Sequence, residues 1–595
     1  VFNAALTLGA WGDAMNQIRI GLLIDDMAMP AWIGRMLEHI IKEPGLSIAL
    51  IVRNLAGQKM RSSSLESPTP AKDGMLLYNL WVSADVRRFA ASRTAARKVD
   101  LSPMLAGIPV LDVMSKQEDG QDEFFAVDTT RIMQYRLDVL LQLGFGDLGG
   151  GILQAAACGV WAYRYGDADA DPRVFPGTWE VLFGKAVIGS TLEILAADSR
   201  QSVVLYRSWS PTDSISPTRG VDRMAWKLAA FVPRRLRELQ RLGNAAFMEK
   251  YRQAQSFAIS DSDIPNFSPD NLTVARLLCR RILQKLTTRL RNRNSFEQWT
   301  LLYRIGDTDH STPVRAYKQL IPPKDRFWAD PCTVLHEGKH AVFIEECDYA
   351  SDIGYISVIQ FDEHEEPVLP PVKILEKPYH LSYPFIFEDD GTLYMIPESA
   401  HAKVISLYRC QQFPHEWVFV MNLMEDVIAY DTTIWRHNNK YWLFATVCDD
   451  REASSWDELS LYFSDTLLST DWQPHPCNPI VSDVRCARSA GRIYERDGKW
   501  YRPAQDCSRR YGGAIALRQI ETIDEHSYKE APAGRIEVTP NDGIIGTHTF
   551  SQAGRLTCID GIVRRRKAPM GKMKYAAFAH PFLSVARWLP LRNRS

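Results

Sequence analysis

Residues 327–346 read FWADPCTVLHEGKHAVFIEE, residues 382–399 read SYPFIFEDDGTLYMIPES and residues 429–447 read AYDTTIWRHNNKYWLFATV. Each stretch opens on a polar entry, runs through a strand, reverses at a short Gly or Asn turn and returns as an aromatic-rich strand. The plan recurs at 489–506 (SAGRIYERDGKWYRPAQD) and 546–562 (GTHTFSQAGRLTCIDGI). With starts at Asp330, Pro384, Asp431, Ala490 and His548 the units lie roughly 50 residues apart, as in propeller blades that carry insertions. The reading is an all-β five-bladed propeller over residues 301–567. Blade entries of such a ring meet at one depression, so Asp330, Tyr383, Glu398, Asp431, Arg488 and His548 are expected to converge there although they are far apart in the chain.

The chain around this array has 595 residues, too many for one ordinary core. Its composition is that of a globular protein, and a net charge of -1 gives no global drive towards nucleic acid, so no nucleic-acid partner is expected. The ten cysteines form no C-x-x-C pair, which indicates neither a zinc site nor a disulfide framework. No apolar run is long enough to span a bilayer and no secretory signal is visible, so a cytoplasmic location is expected. The sequence opens on Val1, and Met15 is read as the start, with residues 1–14 an extraneous leader.

From Ile18 the pattern is IRIGLLID, the amphipathic AWIGRMLEHIIKE, then LSIALIVRN. Apolar strands separated by such a helix make a parallel sheet buried on both faces. Further strands are expected at 109–113, 137–145, 159–165, 190–195 and 203–209, completing an open α/β domain over 15–230 with sites at the carboxyl ends of its strands. Gly144 and Gly146 allow a tight turn there, with Asp147 facing a cleft.

Residues 159–195, GVWAYRYGDADADPRVFPGTWEVLFGKAVIGSTLEIL, resemble the catalytic half of the formyltransferase fold. The resemblance implies a 10-formyltetrahydrofolate donor and transfer of its one-carbon group to an amine. The family's Asn and His fall near Ala162 and Arg164, while Asp198 matches its distal Asp. Arg164 suits an oxyanion but, permanently charged, cannot move a proton. The alternative is that Arg164 pairs with Asp167 or Asp169 on a surface loop.

FWADP, YHLSYPFIFEDDGTLYMIPES, LYRCQQFPHEW and GTHTFS resemble the propeller domain of plant glucosamine inositolphosphorylceramide transferases and their bacterial relatives. More distantly the arrangement resembles arabinanase-type glycoside hydrolases. That likeness implies that Asp330 is a base, that Asp431 tunes a pKa and that His548 lies by a central cation. The fourth-blade acid is replaced by Arg488 or Ser489, which leaves Glu398 as the remaining proton donor. Arg488 and Arg502 are expected to bind an anionic group on a glycan, with salt bridges from them to Asp506 or Glu495 as the alternative.

Residues 231–300 are Arg-rich and helical in period and read as a basic connector. It either lies on an anionic membrane or buries Leu277, Leu278, Ile282 and Leu286 against a neighbour. After Asp560 come nine Lys or Arg and no acid, with Phe578, Phe582, Trp588 and Leu589 interleaved, so residues 568–595 read as a basic aromatic tail for the inner face of a membrane. The functional expectation is a transferase of cell-surface glycan or glycolipid assembly. A propeller glycosidase and a non-catalytic glycan-binding scaffold are the alternatives.

Overall fold

The computed structural model describes residues 17–55, 75–118, 121–166, 175–197, 201–255, 270–306, 312–448 and 453–567. The expectations for 1–14, for Asp198, for Asp167 and Asp169, and for the 568–595 tail lie outside these residues. The chain divides into two compact units, one of residues 1–208 and 213–275, the other of 209–212 and 276–595.

In the first unit the apolar run at the start forms the strand Ile18–Ile24, which pairs in parallel with Leu46–Asn54 and with Val139–Gln142. Between them the helix Ala31–Lys42 buries Trp32, Ile33, Met36, Leu37 and Ile40, one stripe at the helical period. The seven-stranded sheet runs in the order Val203–Pro211, Val187–Ile194, Val160–Tyr165, Val139–Gln142, Ile18–Ile24, Leu46–Asn54, Val110–Val113. Val160–Tyr165 and Val187–Ile194 are antiparallel. Leu22, Leu23, Leu50, Ile51 and Val52 are fully buried, as strands covered on both faces require.

The expected connector is corrected at both ends. The helix Phe231–Leu242 buries Phe231, Val232, Leu236 and Leu239, and Phe247 of the next helix stacks on Trp161. These apolar stripes outweigh the Arg-rich composition and make 231–255 part of the first unit's core. At the other end, Ser295–Ile305 pairs along its whole length with Leu556–Arg566, so the β region begins before residue 301.

Among its described residues the second unit holds five four-stranded sheets. The first joins Lys318–Leu320, Ser295–Ile305, Leu556–Arg566 and Phe550–Ala553, so the opening and closing strands of the unit share one sheet. The others follow in chain order from Arg326–His336, Ser382–Asp389, Ala429–His437 and Tyr494–Arg496. Successive side chains on a strand point to opposite faces, and here both faces are buried. Leu301 joins an apolar cluster with the second sheet, while Leu302 joins one with the fifth. Phe343 and Ile386 fill the cluster between sheets two and three, and Phe385 and Leu443 that between three and four. Trp442, Phe444 and Ile520 fill the cluster between four and five. Five clusters therefore link five sheets in a closed cycle. Among the described residues no helix is long and apolar enough to cross a membrane.

Candidate functional site

Three successive sheets open on a strand that loses register at one equivalent place: between Ala329 and Cys332, between Ser382 and Phe385, and between Tyr430 and Thr433. Within each break one residue has a left-handed backbone, namely Asp330 (φ 50°), Tyr383 (φ 40°) and Asp431 (φ 48°). For a residue with a Cβ this costs about 1–2 kcal/mol, and a bulge of this kind re-aims the side chain. A repeated bond holds each one. The amide of Asp330 donates to Asp560 Oδ2 at 3.2 Å, that of Tyr383 to Asp330 Oδ2 at 3.2 Å, and that of Asp431 to Glu398 Oε2 at 3.3 Å. Each bulged amide thus finds a carboxylate on the preceding sheet.

One group of side chains is Asp330, His548 and Asp560. His548 Nδ1 lies 2.5 Å from Asp560 Oδ2 and Nε2 lies 3.5 Å from Asp330 Oδ1, while the ring stacks on Trp299 at 4.1 Å. Thr549 Oγ1 donates to Asp330 Oδ1 at 2.9 Å. Burial pushes the Asp330 carboxyl up to about 7 against the pull of His548. Burial alone would lower the imidazole, but Asp560 and Asp330 outweigh it and raise it to about 9.

The second group is Glu398, Asp431, Arg488 and Gln505. Arg488 grips Asp431 with Nε and with a terminal nitrogen (3.0 Å to Oδ1), and reaches Glu398 Oε2 at 3.4 Å. Gln505 Nε2 donates to Asp431 Oδ2 at 2.7 Å. The guanidinium lies 5.2 Å from the ring centres of both Tyr430 and Tyr511. Burial, then the nearby Asp431, raises the Glu398 carboxyl well above its ordinary range. Asp431 accepts three of these bonds, two from Arg488 and one from Gln505.

Asp330, His548 and Asp560 each offer a ligand atom within 4.8 Å of the others, a mixed carboxylate and imidazole set that could hold a metal ion. Asp330 Oδ1 and His548 Nε2 are separated as two ligands of one ion are, at metal–ligand distances of about 2.0–2.4 Å. Asp560, on the other ring nitrogen, is placed to orient the imidazole as an outer carboxylate does. A cation there would have to displace the Nε2 proton, because the imidazolium otherwise supplies the positive charge between the two acids.

The structure thus brings together Asp330, Glu398, Asp431, Arg488 and His548 and sets the other expected residues aside. Tyr383 contributes its amide, while its ring packs in the apolar core and its hydroxyl meets Thr433 Oγ1 at 3.0 Å. Arg502 is fully buried, fork to fork with Glu530 at 2.9 Å on both oxygens, and two further donors hold the carbonyls of Cys486 and Ala487. Its partner is neither Asp506 nor Glu495, and four of its five N–H donors are taken up by these contacts. Arg488 is bonded to two acids through Nε and one terminal nitrogen. In the first unit Arg164 is bonded to Glu193 across the strand pair, and Ala162 is buried beside it.

Sequence reasoning missed Glu345, Gln505 and Asp560. Glu345 and Gln505 sit late in the second strand of a sheet, as Glu398 does, and Asp560 sits in the middle of Leu556–Arg566. Glu345 pairs with Ala329 and Glu398 with Ser382, each just before the bulge. The signal was a polar residue closing an apolar returning strand: FIEE, MIPE, RPAQ, CID. His380 Nε2, 2.9 Å from Glu345 Oε1, joins the same ring of buried acids.

Residues 317–543 match the family model described as "Glucosamine inositolphosphorylceramide transferase 1, N-terminal". The match spans Asp330, Glu398, Asp431 and Arg488. The protein of that name from Arabidopsis thaliana is 35% identical over 209 residues, 34% of this chain and 27% of the relative. That from Oryza sativa subsp. japonica is 35% identical over 160 residues, 27% of this chain and 21% of the relative. The chain therefore spans about a quarter of the length of the curated relatives it matches. Among solved structures, a family 117 glycoside hydrolase of Zobellia galactanivorans superposes with a TM-score of 0.30 at 11% identity, over 49% of this chain and 98% of that one. An α-L-arabinanase of Cellvibrio cellulosa gives 0.26 at 15% identity, over 34% and 77%.

Proposed function

We propose that the five sheets are the blades of one propeller, that its central acid ring binds the sugar head of a glycolipid, and that the chain serves a transferase of glycolipid assembly. The observation that carries this reading is the match over 317–543, because it contains four of the five converging side chains. The cyclic clusters and the bonds from each bulged amide to the preceding sheet support the ring. Buried carboxylates and Gln505 suit sugar hydroxyls, which donate and accept at close quarters.

Glycoside hydrolysis is a second reading, favoured by the raised Glu398 carboxyl. There Glu398 protonates the leaving oxygen while Asp330 acts as base. We read the first unit as formyltransferase-like in plan but without its chemistry. Neither the buried Ala162 nor Arg164, paired with Glu193, is a proton carrier, so the family's Asn and His have no chemical equivalent at these two positions.

The test is thermal stability of the full chain with an amino sugar linked to inositol phosphate, and with neutral oligosaccharides. Binding raises the melting temperature, and Asp330→Asn abolishes the rise. A chain indifferent to every sugar head would sink the first reading. Hydrolysis of an unactivated alkyl or sugar glycoside, lost in Glu398→Gln, would establish the second.

A further inference from the structure

The helix Asn271–Arg293 reads NLTVARLLCRRILQKLTTRLRNR, with seven Lys or Arg and no acid. Sequence reasoning allowed that Ile282 and Leu286 are covered by a neighbour. In the structure Ile282, Leu283, Leu286 and Leu290 are 49% to 71% exposed, and the only fully buried residue of the helix is Val274. At 3.6 residues per turn those four side chains and Cys279 fall within an arc of about 100°, an apolar stripe that Arg293 closes at its carboxyl end. Arg276, Arg280 and Arg291 lie to one side of it, Arg281, Lys285 and Arg289 to the other. The carboxyl end is pinned to the sheets. Lys567 Nζ donates to the carbonyls of Asn292 and Arg293 at 3.2 and 3.3 Å, and the Lys567 amide donates to Asn294 at 3.0 Å.

We propose that this helix is a docking surface for an anionic lipid membrane. Its leucine stripe would enter the boundary between headgroups and acyl chains, and the flanking arginines would meet lipid phosphates. Charge complementarity selects this occupant. The basic segment 568–595 of the same chain carries the same sign as the helix, and a second copy would set arginine against arginine. A nucleic acid would satisfy the arginines but leave the stripe in water. The surface is independent of the central acid ring, so it stands or falls separately from the function proposed above.

The experiment is co-sedimentation of the full chain with phosphatidylcholine vesicles, with and without phosphatidylserine. Binding is expected only to the anionic vesicles and should weaken with salt. The pair Leu286→Asp with Leu290→Asp, and separately Arg280→Gln with Arg289→Gln, should each weaken it about tenfold or more. These side chains are exposed, so folding is unaffected, and an unchanged melting temperature confirms it. A chain ending at residue 567 should still bind. Equal binding by the helix variants overturns the proposal, as does loss of all binding on truncation at 567. Retention of a single-stranded oligonucleotide without vesicle binding overturns it too.

Discussion

Arg488 is buried between two carboxyl groups, and its removal leaves Asp431 with an uncompensated charge in a dry site. Breaking such a pair from one side costs about 3–5 kcal/mol, so Arg488→Ala should lower the urea midpoint of the second unit sharply. An unchanged midpoint would show that the pair carries no stability. Glu398 gives a prediction of opposite character. Its folded pKa is raised above the ordinary 4.5, so the folded state keeps a proton that the unfolded chain has released. This contribution is fully present below pH 4.5 and is lost as pH rises through the folded value, at about 1.4 kcal/mol per pH unit across the window. Glu398→Gln mimics the protonated form. Because its amide cannot ionise, this variant should show a shallower loss of stability than the parent as pH rises above 4.5, and an identical slope would refute the assignment. At this scale the sequence shows the acids at the opening strands of the sheets, Asp330 and Asp431, because each follows an aromatic entry at one repeat position. It hides their partners, because Gln505 and Asp560 are common polar residues whose meaning comes only from strand pairing.

The hairpins are the most legible elements. Glu337-Gly338, Asp390-Gly391, Asn438-Asn439 and Asp497-Gly498 all carry two successive positive φ angles, the geometry that tight β-hairpins need and that Gly, Asn and Asp supply most easily. The strand Ser295–Ile305 is the least legible, because its partner Leu556–Arg566 is at the far end of the chain and no local period reports that pairing. Closure between the fifth and first sheets depends on the Phe550 amide, which donates to the Ala490 carbonyl at 2.8 Å. Beside it Gly491 has φ 136°, and a Cβ there would stand 2.0 Å from the Phe550 carbonyl oxygen. Backbone cannot yield as a side-chain tip can, so Gly491→Ala should destabilise by about 3 kcal/mol or more, as other strained or overpacked substitutions do. Thermal melts check this, and a loss of only a few tenths would mean that the closing strand relaxes freely.

Across the whole molecule the open sheet and the ring of sheets have separate apolar cores and separate sequence signatures, strand–helix–strand in one and repeated hairpins in the other. The Arg-rich stretch between them misled the reading of 231–255 because composition reports charge while burial follows the period of Leu236 and Leu239. Two compact units with their own cores should melt in two steps, since all-or-none unfolding belongs to single domains and fails for chains with several. Scanning calorimetry of the full chain is therefore expected to resolve two transitions. Gly491→Ala should move only one of them, because its clash lies wholly within the second unit. A sugar head that binds the acid ring should raise that same transition and leave the other in place, since a ligand stabilises only the cooperative unit that holds it. If Gly491→Ala shifts a single merged transition, the two cores unfold as one, and the assignment of ligand binding to the second unit loses its thermal signature.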